Sequence, residues 1–332
     1  MRTLRDEIVD ATGVEPVALE RLVRVRPRTL IMIATLTGAF YVLLPQLANV
    51  DESISALGSA NWGWLAGVLV ASGITYVAAG IGMMGGVRED LPFVPTVQVA
   101  LASSFVNRVT PANVGGMALN VRYMQKAGIA PADAVTGVGL NVLAGGIVHL
   151  GLLAVFLAWS GRGGGQAFAI PDSSTLLVVI AVVLALLGAV LATRRGRGLA
   201  RAHVLPPMRQ SLSSIRRLAT SPIRLSALFG GSLGVTFAYV VALWCAVAAF
   251  DGGVSFAQIG AVYLGASLIA AAAPTPGGLG ALEAALVAGL TGVGMEPAIA
   301  VAAVLSYRLL TFWVPVLPGW LCFQLLERRN YV

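Results

Sequence analysis

Residues 256–292 read FAQIGAVYLGASLIAAAAPTPGGLGALEAALVAGLTG, an apolar stretch broken at its centre by Pro274-Thr275-Pro276-Gly277-Gly278. Proline removes a backbone donor and glycine lowers helix stability, so the stretch splits into two half-helices. A single crossing takes about 20 apolar residues. Each half falls short of that, and the pair predicts a re-entrant hairpin that enters and leaves the membrane on one face. Residues 96–125 have the same form, interrupted by Thr110-Pro111-Ala112-Asn113-Val114-Gly115-Gly116.

The two broken stretches lie in a repeat. Gly128-Ile-Ala-Pro131-Ala-Asp-Ala-Val135 aligns with Gly294-Met-Glu-Pro297-Ala-Ile-Ala-Val301, and each copy follows a Thr-Pro and a Gly-Gly. Around them, six further segments are long enough to span: residues 30–47, 62–84, 132–158, 175–193, 225–250 and 297–326. With 57% hydrophobic and 11% charged residues, and a mean hydropathy of +0.84, too little charge remains to cover a water-facing surface. The expected fold is an all-α polytopic membrane protein. It has six full spans plus two oppositely inserted re-entrant helical hairpins, an inverted repeat of the kind transporters use. Residues 1–29 form a cytoplasmic leader or linker, 30–326 the transmembrane domain, and 327–332 a cytoplasmic tail.

The net charge of +7 does not point to nucleic acid, because the basic residues gather at the ends of apolar segments. Placing both termini inside puts nearly all of them on the cytoplasmic side. Arg162 is left outside, and Arg108 and Arg308 fall within the apolar layer, while Asp51, Glu52, Asp172, Asp251 and Glu296 fall outside. The Arg-rich loop 194–224 reads as a topology anchor or a contact for anionic headgroups. All but one of the 22 basic residues are Arg, and Ala, Gly and Val abound. That composition resembles a GC-rich bacterial genome, so the expected location is a bacterial cytoplasmic membrane.

Arg308 lies roughly 16 Å into its span, near the midplane. A central Arg costs at least about 2.5–3.5 kcal/mol, so it needs a partner or a polar cavity. Two readings stand: an anion site for a lipid phosphate, or a structural pair with Glu283. Glu283 itself follows Gly277, Gly278 and Gly280 at a helix start, where the dipole favours a carboxylate. The half-helix starts after Pro111 and Pro276 offer free N–H groups to an anion. Gly115, Gly116, Gly277 and Gly278 either admit a headgroup or allow tight helix packing. Arg108, Asn107, Asn113 and Asn120 add polar groups to the first hairpin. Asn141 and Tyr307 occupy equivalent repeat positions and face a cavity or join helices. Cys245 and Cys322 read as buried hydrophobes, and His149 as a packing residue. No metal cluster, phosphate-binding loop or nucleophile elbow is present, so neither enzyme activity nor a cofactor is expected.

The run Pro274-Thr-Pro-Gly-Gly-Leu-Gly-Ala-Leu-Glu283, followed by Leu305-Ser-Tyr-Arg308-Leu-Leu-Thr-Phe-Trp313, resembles the signature of the lysylphosphatidylglycerol synthase transmembrane region. The Thr110–Gly116 break with Arg122 and Gly128 resembles that family's first motif, with Asn113 and Gly116 where the family pattern has a basic and an acidic residue. The resemblance spans roughly residues 30–326. It implies a flippase-like domain that moves an aminoacylated phospholipid, here in a stand-alone form without the aminoacyl-transfer domain. The implied function is translocation of a phospholipid or polyprenyl-phosphate lipid, with Arg308, Arg108 and the half-helix starts holding phosphate and Glu283 setting Arg308. The alternatives are a non-transporting subunit or anchor of a lipid-modifying or glycosyl-transfer enzyme, and an ion-coupled small-solute transporter. The expected partners are membrane lipids with anionic headgroups, together with a partner enzyme or a soluble domain beyond this sequence. The sequence leaves the oligomeric state open.

Overall fold

The computed structural model describes residues 60–109, 114–161, 221–272 and 278–332. Every regular element in these residues is helical: α1 (Trp62–Gly85), α2 (Phe93–Val109), α3 (Val114–Lys126), α4 (Pro131–Ser160), α5 (Pro222–Ala248), α6 (Phe256–Ala272), α7 (Ala281–Gly292), α8 (Pro297–Arg308), a π-helical turn (Leu309–Trp313) and α9 (Val316–Arg328). Among the described residues four stretches are long and apolar enough to cross a membrane: Trp62–Gly85, Pro131–Ser160, Pro222–Ala248 and Pro297–Arg328. The segments 30–47 and 175–193, expected to span, lie outside the described residues, as do the leader and most of the basic loop.

Both apolar stretches with central breaks form helix pairs. The first breaks between Val109 and Val114, and the second between Ala272 and Ala281. Where the second break meets α7, Gly278 and Gly280 take positive φ of 67° and 80°, which an L side chain rarely adopts. In each pair the two helices pack on one another.

The repeat seen in the sequence recurs in hydrogen bonds. Helix α3 ends with Gly128 at φ 89° and α7 with Gly294 at φ 96°. The amide of Gly128 donates to Gln125 O and that of Ile129 to Met124 O, while Gly294 donates to Thr291 O and Met295 to Leu290 O. Both are glycine-terminated Schellman motifs, in which the residue after the glycine closes a hydrophobic contact with the last turn. Ile129 and Met295 are accordingly buried. Two residues later Pro131 and Pro297 open α4 and α8 at the position where a missing N–H costs nothing.

Helices α1 and α5 form the antiparallel spine. The Asn61 amide donates to Ala249 O at one end, and Arg224 reaches Met84 O, Arg88 O and Asp90 at the other. Between these ends the backbones touch: a Cβ on Gly231 would sit 2.3 Å from Gly82 N, and one on Gly85 2.2 Å from Leu228 N. Small residues at such crossings replace the hydrophobic drive that lipid removes. Two larger apolar clusters build outward from the spine and include residues of it. One gathers α2, α3 and α9, and reaches Val332 at the end of the chain. The other gathers α6, α7 and α8. Trp64, Trp159, Trp244 and Phe256 pack together at the end of the bundle that carries Asn61 and Ala249.

The stretch 297–326, read from sequence as one span, is articulated. Pro315 lacks the N–H that would bond Thr311 O, and Val314 instead donates five residues back to Leu309 O. The resulting π turn lies just past Arg308. Such insertions re-aim side chains and recur at functional sites.

Candidate functional site

Glu283 stands in the first turn of α7 and Arg308 at the last residue of α8. These helices are joined by the Gly294 cap and pack side by side. Arg308 Nε donates to Glu283 Oε1 at 2.5 Å, with side-chain exposures of 8% and 12%. Glu283 Oε2 is buried with no hydrogen-bond partner among the described residues. The second face of the arginine meets an aromatic ring: Arg308 Cζ lies 4.2 Å from the centroid of Phe312, one turn on.

A second guanidinium comes to the same ring from the α2–α3 pair. Arg108, in the last turn of α2, places Cζ 4.6 Å from the Phe312 centroid. Both distances are within cation–π range. The two arginine carbons are thus no farther apart than the sum of these distances. Arg108 also donates from Nη1 to Ser104 Oγ at 3.0 Å, and its buried Nε has no partner among the described residues. Among the described residues the cluster holds two arginines and one carboxylate, a net of one positive charge on those side chains.

The start of α3 is differently occupied than the sequence suggests. Asn107 Oδ1 accepts from the Gly116 amide at 2.8 Å. A Cβ on Gly116 would lie 2.5 Å from that oxygen, so glycine here admits the Asn107 side chain. Gly115 opens the same turn, and Asn120 accepts from Ser103 Oγ at 2.5 Å. Thr75, Tyr76, Ser103, Asn107, Asn120 and Asn141 line a cavity of 240 Å³ beside this turn. Tyr307 is buried against Tyr263, with ring centroids 6.3 Å apart. Gly278 sits at the start of α7 next to Ala270, while Asn113 and Gly277 lie outside the described residues. Among the described residues no group of His, Cys, Asp or Glu is placed to hold a metal ion.

The model of the family described as the lysylphosphatidylglycerol synthase TM region matches residues 30–319. The chain belongs to this family. As a member of the lysylphosphatidylglycerol synthase TM region family, with helices of spanning length, it is a multi-pass membrane protein. It is also similar to a UPF0104 membrane protein of Pyrococcus horikoshii, at 24% identity over 264 residues that cover 70% of this chain and 77% of the relative. The matched residues include every arm of the cluster in this family member: Arg108, Glu283, Arg308 and Phe312.

Sequence reasoning quoted Phe312 within the Leu305–Trp313 run without giving it a role, and passed over Ser104. Phenylalanine in an apolar run carries no mark that separates a platform for two cations from a packing residue. The one available signal was position: Phe312 lies four residues after Arg308, on the same helix face.

Proposed function

We propose that this protein moves a phospholipid or polyprenyl-phosphate lipid between membrane leaflets, and that Arg108 and Arg308 hold the phosphate. The observation that carries this reading is the approach of both guanidinium groups, one from the end of α2 and one from the end of α8, to the single ring of Phe312. Keeping two arginines in an apolar layer costs several kcal/mol unless they are compensated. Glu283 offsets one of them, and a phosphodiester would offset the other. Arginine suits this work because its charge is permanent and its fork matches phosphate oxygens. The family's name refers to the synthase of a phospholipid, which supports a lipid as the cargo.

In this reading the chain is a transporter and not an enzyme. Residues 30–47 and 175–193 add two spans to the four described. The α2–α3 and α6–α7 pairs are re-entrant hairpins inserted from opposite faces, and both termini lie inside a bacterial cytoplasmic membrane. The acyl chains stay in lipid while the headgroup passes the arginine cluster. Native mass spectrometry of the purified protein tests the reading. It should find a co-bound phosphate-bearing lipid, and Arg108→Gln with Arg308→Gln should lose that lipid without loss of fold. Retention of the same lipid by the double variant would contradict it.

A further inference from the structure

The third helix of each repeat changes neighbours halfway along. The first part of α4 packs with α3, and its Ala134 and Val138 belong to the cluster built by α2, α3 and α9. In the second part Leu152, Leu153, Phe156 and Leu157 join the cluster of α6, α7 and α8. There a Cβ on Gly260 would collide with the Phe156 ring, which lies 5.6 Å from that of Phe256. The α8–α9 stretch makes the opposite passage. Ala300, Val304 and Tyr307 lie in the α6–α8 cluster, whereas Cys322, Phe323 and Leu326 lie in the α2–α3 cluster. A Cβ on Gly319 would sit 2.9 Å from Leu101 O of α2, and Phe323 packs on Phe105. Each helix pair is thus covered by the far half of the other repeat's third helix.

The weak points of these two helices coincide in the repeat. With Gly128 aligned on Gly294 and Pro131 on Pro297, Gly145 and Gly146 fall on Thr311 and Phe312. Thr311 and Phe312 stand inside the π turn, where Thr311 Oγ1 donates to Tyr307 O at 2.7 Å, a kind of bond that bends helices. Paired small residues and π turns are two of the few features that kink a helix. Packing does not account for the glycine pair, because a Cβ on either would meet nothing within 4 Å among the described residues. Gly85, Gly231 and Gly260, by contrast, each press on a neighbouring helix. We propose that Gly145-Gly146 and the π turn Leu309–Trp313 are a matched pair of hinges, about which the two helix clusters turn against each other. Hinges of this kind are a few residues that absorb the backbone change between packed bodies. Both join the same two bodies, so neither bends alone. Phe312 stands in one hinge, with Arg308 next to it and Arg108 brought by the other body, so turning alters the ring's hold on an arginine. The hinge pair goes beyond the lipid-transport reading and does not require it.

Double electron–electron resonance on the full chain in lipid nanodiscs tests this, with Cys245 and Cys322 changed to Ala. Spin labels go on exposed positions either side of each hinge: Val135→Cys with Val155→Cys on α4, and Leu305→Cys with Leu321→Cys across the π turn. A pair on α1, Trp62→Cys with Ile81→Cys, is the unbroken reference. Both hinge pairs should give distance distributions broader than the reference. Gly145→Ala with Gly146→Ala should narrow both distributions by roughly half, since alanine firms the helix and the shared motion is lost at both hinges. Pro315→Ala, or Thr311→Val where that variant does not fold, should also narrow both. Gly139→Ala, at another open glycine of α4, should change neither. Distributions no broader than the reference, narrowing confined to the substituted hinge, or equal narrowing by Gly139→Ala would each overturn the proposal. No lipid movement enters the readout, so a protein that moves no lipid defeats the transport reading and leaves the hinges to be decided by the distances.

Discussion

Replacing Arg308 by alanine strands Glu283. The carboxylate is 12% exposed, one oxygen accepts from Arg308 at 2.5 Å, and the other has no partner among the described residues. Removing one member of a buried pair costs about 3–5 kcal/mol. Loss of the contact with Phe312 adds about 0.5–2 kcal/mol. At a few degrees per kcal/mol for a chain of this size, the melting midpoint should fall on the order of 5–15 °C. Glu283→Gln keeps an oxygen for Arg308 Nε but leaves the guanidinium without its counter-charge, so it too should cost on the order of 3 kcal/mol. Arg308→Ala combined with Glu283→Ala removes the stranded charge and should melt above Arg308→Ala alone. Recovery should be partial, because the Phe312 contact stays lost. The assay is intrinsic-fluorescence melting, in one detergent, of the wild type, Arg308→Ala, Glu283→Ala, their double variant and Glu283→Gln. Single-variant losses that add to within about 0.5 kcal/mol would refute the coupling.

The spine gives a sharp contrast between adjacent glycines. Gly231→Ala should destabilise by at least about 1–3 kcal/mol, because the new methyl would press on the backbone of α1. Gly230→Ala, with nothing within 4 Å of its Cβ, should be neutral or slightly stabilising by the same melting assay. For topology, single cysteines at Glu89 and Lys126 should react with an impermeant reagent only in opened cells, and cysteines at Asp251 and Glu296 in intact cells. Labelling of Lys126→Cys and Glu296→Cys from the same face would rule out oppositely inserted hairpins.

Much of the scaffold was legible because membrane helices are written in local composition. The span expected at 62–84 is α1, Trp62–Gly85, and both predicted breaks fall where Pro and Gly interrupt the apolar runs. The Gly128 and Gly294 motif was legible as a repeat because a left-handed helix end demands glycine, and the structure gives both copies one hydrogen-bond pattern. The Glu283–Arg308 pair was named as one of two readings, since buried ions of opposite sign seek each other. What stayed hidden depends on side chains distant in sequence. Asn107 caps Gly116 across a break, and Arg108 meets Phe312 from another helix region. No periodicity records either contact. The π turn also escaped notice, because Pro315 marks a disturbance without saying whether the helix kinks, ends or widens.

The central claim is that the arginine cluster carries a phosphate headgroup across the bilayer, and leaflet exchange in liposomes tests it most directly. Desolvating a phosphate across about 30 Å of hydrocarbon is prohibitive without such a site. Purified protein reconstituted with fluorescent anionic phospholipids should speed their movement between leaflets, as read by quenching from outside. The lipid panel should include aminoacylated, inositol-bearing and polyprenyl-phosphate species. Arg308→Gln should slow the movement while the protein stays folded, and Arg162→Gln should leave it unchanged. Exchange no faster than in empty liposomes for every lipid, with no lipid bound to the purified protein, would contradict the account.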